Sequence, residues 1–389
     1  MPKQGKTNTS IGGYDYYKVS ATIGYDVDGK PKRKIFYGRN KGDAENKKKE
    51  YLKLLENGIN PEVASQPLSK TIWDWFWNIE KNSGNKSSTF ERYDVIFRKY
   101  IKDSAIGKLP LSSINKMAIR KYYNELLADG YSMSIIKNTH KFLNKFFVFA
   151  LSEGYIIRNP LYGLKLPTVN EDDIDENEGN IETFTDEEIN TLVKSIGNDK
   201  LKYIVLFAVM TGARMGEILA LEKTDIKNGI VKINKSVRTV RVYTDESNYE
   251  YERKTTRPKN KSSIREIPLP DVLIKEMKNL NVLVNEERLK LGPAYLDNKL
   301  LFPSQTGTYI DDKNLRKSWQ RAIAKAGIKY RKFHCLRHTY ATRMILNGVS
   351  ILTVSRLLGH SSIKTTEIYA HTLEDMKIQA VNTLNSMLQ

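Results

Sequence analysis

The chain has 389 residues, with 63 Lys and Arg against 45 Asp and Glu, a formal charge of +18. Apolar residues at 40% and charged residues at 28% exclude global disorder. A single cysteine excludes an intramolecular disulfide framework and fits a reducing compartment. No apolar run approaches the ~20 residues needed to span a bilayer, and the opening residues lead into no apolar signal segment. A soluble, cytoplasmic protein of two to four domains is expected.

The charge is unevenly placed. Ten acids and no Lys or Arg lie between Glu171 and Glu188, so the other 371 residues carry +28. A basic surface of that size attracts a polyanion, most commonly nucleic acid. The plainer alternative is a lysine-rich surface that serves solubility.

From the N-terminus, Tyr14 to Ile23 has strand composition, Asp26 to Lys30 supplies a turn, and Lys32 to Gly38 returns as a second strand. Asn40 to Asn57 is predicted helical. Residues 1–60 hold thirteen Lys and Arg against seven acids. A ribbon carrying Lys30, Lys32, Arg33 and Lys34 suits a DNA groove, and it equally suits a small domain with a solvated basic face. Pro61 to Ser69 is predicted as a linker. Thr89–Ile101, Asn115–Asp129 and Ser134–Glu153 read as helices after a Trp73, Phe76, Trp77 stripe. The aromatic run of the last helix, including Phe142, Phe146 and Phe147, is read as core. Lys137, Lys141 and Lys145 share one face that could track phosphates. Asn159-Pro160 ends this helical region, and the acidic stretch follows.

Thr185 to Glu188 opens a helix with a capping box. Lys202–Val209 and Met215–Leu221 read as helices around a Thr211-Gly212-Ala213 break. Ile230–Val242 and Ile264–Leu269 have strand composition, with a polar, basic segment from Tyr243 to Ser263 between them. Helices are predicted to dominate from Leu315 onwards.

Four of the five histidines (334, 338, 360 and 371) and Cys335 fall in the last 56 residues. His334 and His338 are spaced like metal ligands on a helix, but a tetrahedral site needs three or four ligands. No His-Glu-x-x-His, Cys-x-x-Cys or Asp cluster accompanies them, so no metal is expected. A satisfied core histidine is a second reading, open for His338.

Taken together, HCLRHTYATR at 334–343, LLGHSS at 357–362, Tyr369 nine residues after His360, and TGARMGEILAL at 211–221 resemble the tyrosine recombinase family, the lambda-type integrases and their relatives. The four motifs occur in order over about 160 residues. The resemblance implies catalytic roles for Arg214, Lys259, His334, Arg337, His360 and Tyr369, with Glu217 and His338 in support. Lys259 matches by register in PKNKSSIREIPL; Asn260 stands where Thr is usual, and Lys261 is the alternative.

The chemistry explains these residue types. Two guanidiniums can clamp the non-bridging oxygens of a phosphodiester as its charge rises. A tyrosine nucleophile needs a proton acceptor, for which His334 is suited. A mobile lysine can protonate the 5′-hydroxyl leaving group, and His360 can donate to the phosphate. The implied 3′-phosphotyrosyl intermediate conserves bond energy, so no cofactor, ATP or metal is expected.

The resemblance also implies a multidomain, mainly α fold with small β-sheets. An arm-type DNA-binding domain (1–60, β-hairpin and helix) precedes a helical SAM-like core-binding domain (68–163). An acidic linker (164–182) and the DNA breaking-rejoining catalytic domain (183–389) follow. Double-stranded DNA with core and arm sites, four protomers, and DNA-bending and excision proteins are the implied partners. A type IB topoisomerase-like enzyme and a catalytically silent DNA-binding regulator are the rivals. From Leu373, apolar residues at 373, 376, 380, 384 and 387–388 form an amphipathic stripe, which packs either on its own domain or on a neighbouring protomer.

Overall fold

The structure is a computed structural model that describes residues 7–26, 28–84, 86–167, 181–258, 261–363 and 366–369. The chain divides into two compact units, Met1–Asp173 and Ile174–Gln389. Lys259, Asn260 and the stripe beginning at Leu373 lie outside the described residues.

The first unit opens with an antiparallel sheet of β1 (Thr9–Ile11), β2 (Tyr14–Tyr25) and β3 (Pro31–Gly38), in that order. The Asp26 carboxylate accepts the backbone N–H groups of Asp28 and Lys30 and closes the β2–β3 turn. Helix α1 (Lys41–Glu56) starts at Asn40, whose side chain accepts from the Asp43 N–H. It packs on the sheet through Phe36, Ala44 and Tyr51. A Cβ at Gly38 would stand 2.3 Å from the Ala44 nitrogen, so only glycine lets β3 approach the helix this closely.

The segment expected to be a linker is folded instead. Pro61–Ala64 forms a short helix, α2, capped by the Asn60 side chain. Ile59, Ala64 and Leu68 are buried, the Leu68 N–H donates to the Leu109 carbonyl, and the Leu111 N–H donates to the Gln66 carbonyl. Burial of these apolar side chains, which a composition reading of Pro and Ser overlooks, orders the connection. Five helices follow: α3 (Leu68–Asn78), α4 (Ser87–Ile96), α5 (Ala105–Lys108), α6 (Lys116–Ala128) and α7 (Met133–Ser152). Trp75, Phe76, Phe90, Phe142, Phe146 and Phe147 are buried together, so the aromatic stripe is core as expected.

The second unit begins with α8 (Asp186–Ile196), where Thr185 and Glu188 form the expected capping box. Then come α9 (Lys200–Thr211), α10 (Met215–Ile218), β4 (Ile226–Lys227) and β5 (Ile230–Ile233). The expected strand from Ile230 to Val242 is two strands. It breaks at Asn234-Lys235, where the Lys235 ammonium pairs with Glu222 at 2.6 Å and Asp225 at 3.0 Å. Strand β6 (Ser236–Tyr243) lies outside the sheet of β4, β5 and β8 (Arg265–Pro268) and pairs with β7 (Tyr249–Thr256) as a separate ribbon. The polar segment expected between the strands thus contains β7, which is exposed along nearly its whole length and shows no alternation for a sequence reading to find.

After β8 (Arg265–Pro268) comes α11 (Asp271–Leu291), the longest helix among the described residues, where no element is predicted. Its buried face is narrow: Leu273, Met277, Leu280 and Val284. Helices α12 (Asp312–Lys325), α13 (Cys335–Leu346) and α14 (Ile351–Leu358) follow, and a 3-10 turn at Glu367–Tyr369 carries Tyr369. Its main core gathers Phe207, Phe302, Trp319 and Leu336, and a smaller cluster joins Tyr340, Ile345, Val354, Leu358 and Tyr369.

Candidate active site

The site is built where helices α9, α10, α13 and α14 end or begin. Helix α9 stops at Gly212, which has φ +64°. The backbone there is left-handed, and an added Cβ would stand 2.5 Å from Tyr340 Cδ1, so glycine is required twice over. The turn delivers Arg214 to the start of α10. Three residues later the Glu217 carboxylate returns to accept the Arg214 backbone N–H and its Nη1, both at 2.9 Å. Glu217 is buried, while the Arg214 side chain is 40% exposed. One edge of that guanidinium is thereby anchored and the rest faces outwards.

Arg337 lies in the first turn of α13 and is 3% exposed. Its Nη1 donates to the Gly212 carbonyl and its Nη2 to the Leu358 carbonyl, both at 2.8 Å. These are the end carbonyls of α9 and α14, which lack helical partners and favour a cation. Burial, followed by the charge of Arg214, lowers Arg337 to about 9.

Tyr369 is 1% exposed, and its hydroxyl lies 2.7 Å from His338 Nδ1. The His338 ring stands perpendicular to that of His334, with centroids 4.9 Å apart. The histidine that meets the tyrosine is therefore His338, four residues beyond the one expected to accept its proton. Burial raises the Tyr369 hydroxyl to about 12, against the opposing pull of Arg337. Burial and then Arg337 lower His338. His334 keeps an exposed edge, yet desolvation of its ring, then His338, Arg337 and Arg214, lower it to about 4. His360, whose Nδ1 lies 2.7 Å from Thr366 Oγ1, is lowered to about 4 by burial and then by Arg337, Arg214 and Arg265. The described members of the expected set thus lie near enough to feel one another's charge, and the histidines are neutral at pH 7.

Neutral histidines carry a stability consequence. His334 and His360 take up protons less readily folded than unfolded, so their contribution is complete above about pH 6.5. It is lost as pH falls towards 4, their folded-state value. The Tm of the full chain is expected to fall between pH 7.5 and pH 5. The double variant His334→Gln, His360→Gln should flatten that fall; an unchanged slope in the variant would show that other groups carry it.

Sequence reading missed Arg265. Its Nη2 meets Glu217 at 2.8 Å, and the Arg265 and Glu217 side chains are both nearly fully buried. Burial opposes the Glu217 charge, but Arg265, then the Arg214 N–H and guanidinium, outweigh it and hold the carboxyl below its ordinary value. The only signal was a charged residue at a position of β8 that alternation turns inwards with Ile267.

In the first unit, strand alternation divides the expected basic ribbon. Lys34 turns towards α1, bonding Glu62 at 3.0 Å and lying over the Tyr51 ring, while Lys30, Lys32 and Arg33 are exposed. On α7, Lys145 pairs with the buried Glu80, and Lys137 and Lys141 face outwards. No group of three or more potential metal-holding side chains occurs among the described residues, and no described helix is long and apolar enough to cross a membrane.

The sequence pattern of the phage integrase family matches residues 182–376. A tyrosine recombinase XerC-like protein of Caldanaerobacter subterraneus is 39% identical over 98% of this chain and 99% of its own. The ICEBs1 integrase of Bacillus subtilis is 24% identical, over 78% of this chain and 79% of its own. Among solved structures, the Tn1549 transposon integrase in complex with transposon right end DNA superposes with TM-score 0.62 at 18% identity, covering 81% of this chain and all of that one. A lambda integrase tetramer bound to a Holliday junction superposes with TM-score 0.57 at 18% identity, covering 92% of each chain.

Proposed function

The chain belongs to the phage integrase family and is a tyrosine site-specific recombinase, and from that premise we propose that it integrates and excises a mobile element or prophage through a 3′-phosphotyrosyl intermediate. The observation that carries the mechanism is the Tyr369 hydroxyl, 2.7 Å from a neutral histidine and within the field of Arg337.

In this reading Tyr369 Oη attacks the scissile phosphorus and gives up its proton to the His334–His338 pair. The bond to the 5′-oxygen breaks, and the phosphate remains joined to Tyr369 and to the 3′-oxygen at the end of the upstream segment, while the downstream segment leaves with a 5′-hydroxyl. Arg214 and Arg337 balance the charge that builds on the non-bridging oxygens, and His360 donates a hydrogen bond to one of them. Lys259, or Lys261 two residues on, protonates the departing 5′-oxygen. Attack by a 5′-hydroxyl from the partner duplex reverses the step, so atoms and bond energy are conserved.

The domain plan proposed for this role is an arm-reading segment at 1–60, a core-binding segment at 68–163, a linker at 164–182 and the catalytic segment at 183–389. The exposed Lys30, Lys32, Arg33, Lys137 and Lys141 are candidate phosphate contacts. Relatives solved on transposon end DNA and as a tetramer on a Holliday junction support duplex DNA as substrate and four protomers as the working assembly. Accessory bending and excision proteins belong to the same proposal.

The test is a plasmid carrying two attachment sites taken from the junctions of the element. Exchange between the sites is expected, with little relaxation of a plasmid lacking them. Relaxation without exchange would favour a topoisomerase-like enzyme, and binding without a covalent complex a silent regulator. For the proton donor, a 5′-bridging phosphorothiolate offers a sulfur leaving group that needs no proton. Lys259→Ala should be slow on ordinary DNA and largely restored on this substrate; restoration of Lys261→Ala instead would move the role by two residues.

A further inference from the structure

Arg265 stands at the start of β8, only 8% exposed, and each of its three guanidinium nitrogens donates to a partner. Nη2 and Nη1 meet Glu217 at 2.8 and 3.3 Å, Nη1 also meets the Ser263 carbonyl at 3.2 Å, and Nε meets the Leu357 carbonyl at 2.6 Å. These partners come from helix α10, the segment leading into β8, and the last turn of α14. A Cβ on Gly359 would stand 3.1 Å from Arg265 Cδ and Nη1, so the turn before His360 lies directly on this side chain. Arg265 and Arg337 thus take the consecutive carbonyls of Leu357 and Leu358 at the negative end of α14.

The charge balance gives the arrangement its meaning. Glu217 is a buried carboxylate that accepts from two guanidiniums, those of Arg214 and Arg265. With Arg265 absent, Arg214 would be its sole close counter-ion, and the positive charge of Arg214 would be spent inside the protein. With Arg265 present, Glu217 is neutralised from within and still grips the Arg214 backbone and Nη1. An uncharged residue of similar volume would fill the space without achieving this.

We propose that Arg265 is a positioning residue for strand cleavage: it answers the charge of Glu217, so that Arg214 is held in place yet keeps its positive charge for the scissile phosphate. The proposal rests on the phosphate role assigned above to Arg214.

The test is single-turnover covalent trapping on nicked suicide substrates by the full-length protein. The scissile linkage is an ordinary phosphodiester, a methylphosphonate that lacks the anionic oxygen, or a 5′-bridging phosphorothiolate. Arg265→Gln is expected to slow trapping on the phosphodiester by roughly 100-fold, with core-site affinity retained. It should regain about ten-fold or more, relative to the unaltered protein, on the methylphosphonate, where less charge needs balancing. Arg265→Lys, which keeps the charge but not the fork, should fall between. Arg214→Ala should show the same relief.

If Arg214→Ala is relieved by the neutral linkage and Arg265→Gln is not, the proposal fails while the reading beneath it stands. If neither is relieved, both fail. Relief of Arg265→Gln by the phosphorothiolate alone would assign it to the leaving-group side and overturn the proposal. Should Arg265→Gln fail to fold, Arg265→Lys decides the matter: trapping slowed equally on the phosphodiester and on the methylphosphonate overturns it, and trapping kept near the unaltered rate by the retained charge supports it.

Discussion

Tyr369→Phe eliminates the covalent protein–DNA complex, reducing trapping on a nicked core-site substrate by at least roughly 10⁴-fold, the order of loss when a nucleophile is removed. Core-site affinity should be unchanged, because the ring is retained and only a buried hydroxyl is lost. Among the described residues that hydroxyl has one hydrogen bond, to His338, so the stability change is expected at about 0.5–1.5 kcal/mol. The buried position of Tyr369 adds a second expectation: with its proton held at about 12, the resting chain should trap DNA slowly until assembly on its sites brings phosphate to the two arginines. His338→Leu should slow trapping as well and leave a tyrosine that still packs in the small core of Tyr340, Ile345 and Leu358. Persistence of the covalent complex in Tyr369→Phe would transfer the nucleophile to another hydroxyl, with the exposed Tyr330 or the buried Tyr340 as the candidates to substitute next.

Arg337→Met combines a catalytic and a structural loss. The Gly212 and Leu358 carbonyls each lose a charged donor at 2.8 Å, leaving two buried acceptors unpaired. At about 1–3 kcal/mol for each, offset by the removal of a buried charge, unfolding in urea should show a net loss of about 2–4 kcal/mol. Trapping should fall by about 10³-fold on the phosphodiester. Arg337→Lys keeps a charge but has one nitrogen to offer two carbonyls from different helices, and it cannot present a fork to the phosphate. Its trapping should remain within about ten-fold of Arg337→Met, with most of the stability recovered. Trapping by Arg337→Lys close to that of the unaltered protein would show that charge alone matters at this position.

Local rules carried much of this molecule. The Thr185 cap, the Gly212 break, the aromatic stripe of Phe142, Phe146 and Phe147, and the order of the motifs around Arg214, Arg337, His360 and Tyr369 were legible because each depends on neighbours within a few residues or on a fixed spacing. Three things were decided only by tertiary structure. Strand β7 exists because β6 pairs with it across a turn, and an exposed ribbon leaves no burial pattern to read. His338 rather than His334 meets Tyr369 because the two histidines sit four residues apart on one helix face, and a chain segment 31 residues away chooses between them. Arg265 joins Glu217 across 48 residues. A single sequence records that both are charged, but an arginine in a strand is ordinarily solvated. Only the packing of β8 beneath the end of α14 removes the water and makes that pair, instead of solvent, the partner of each charge.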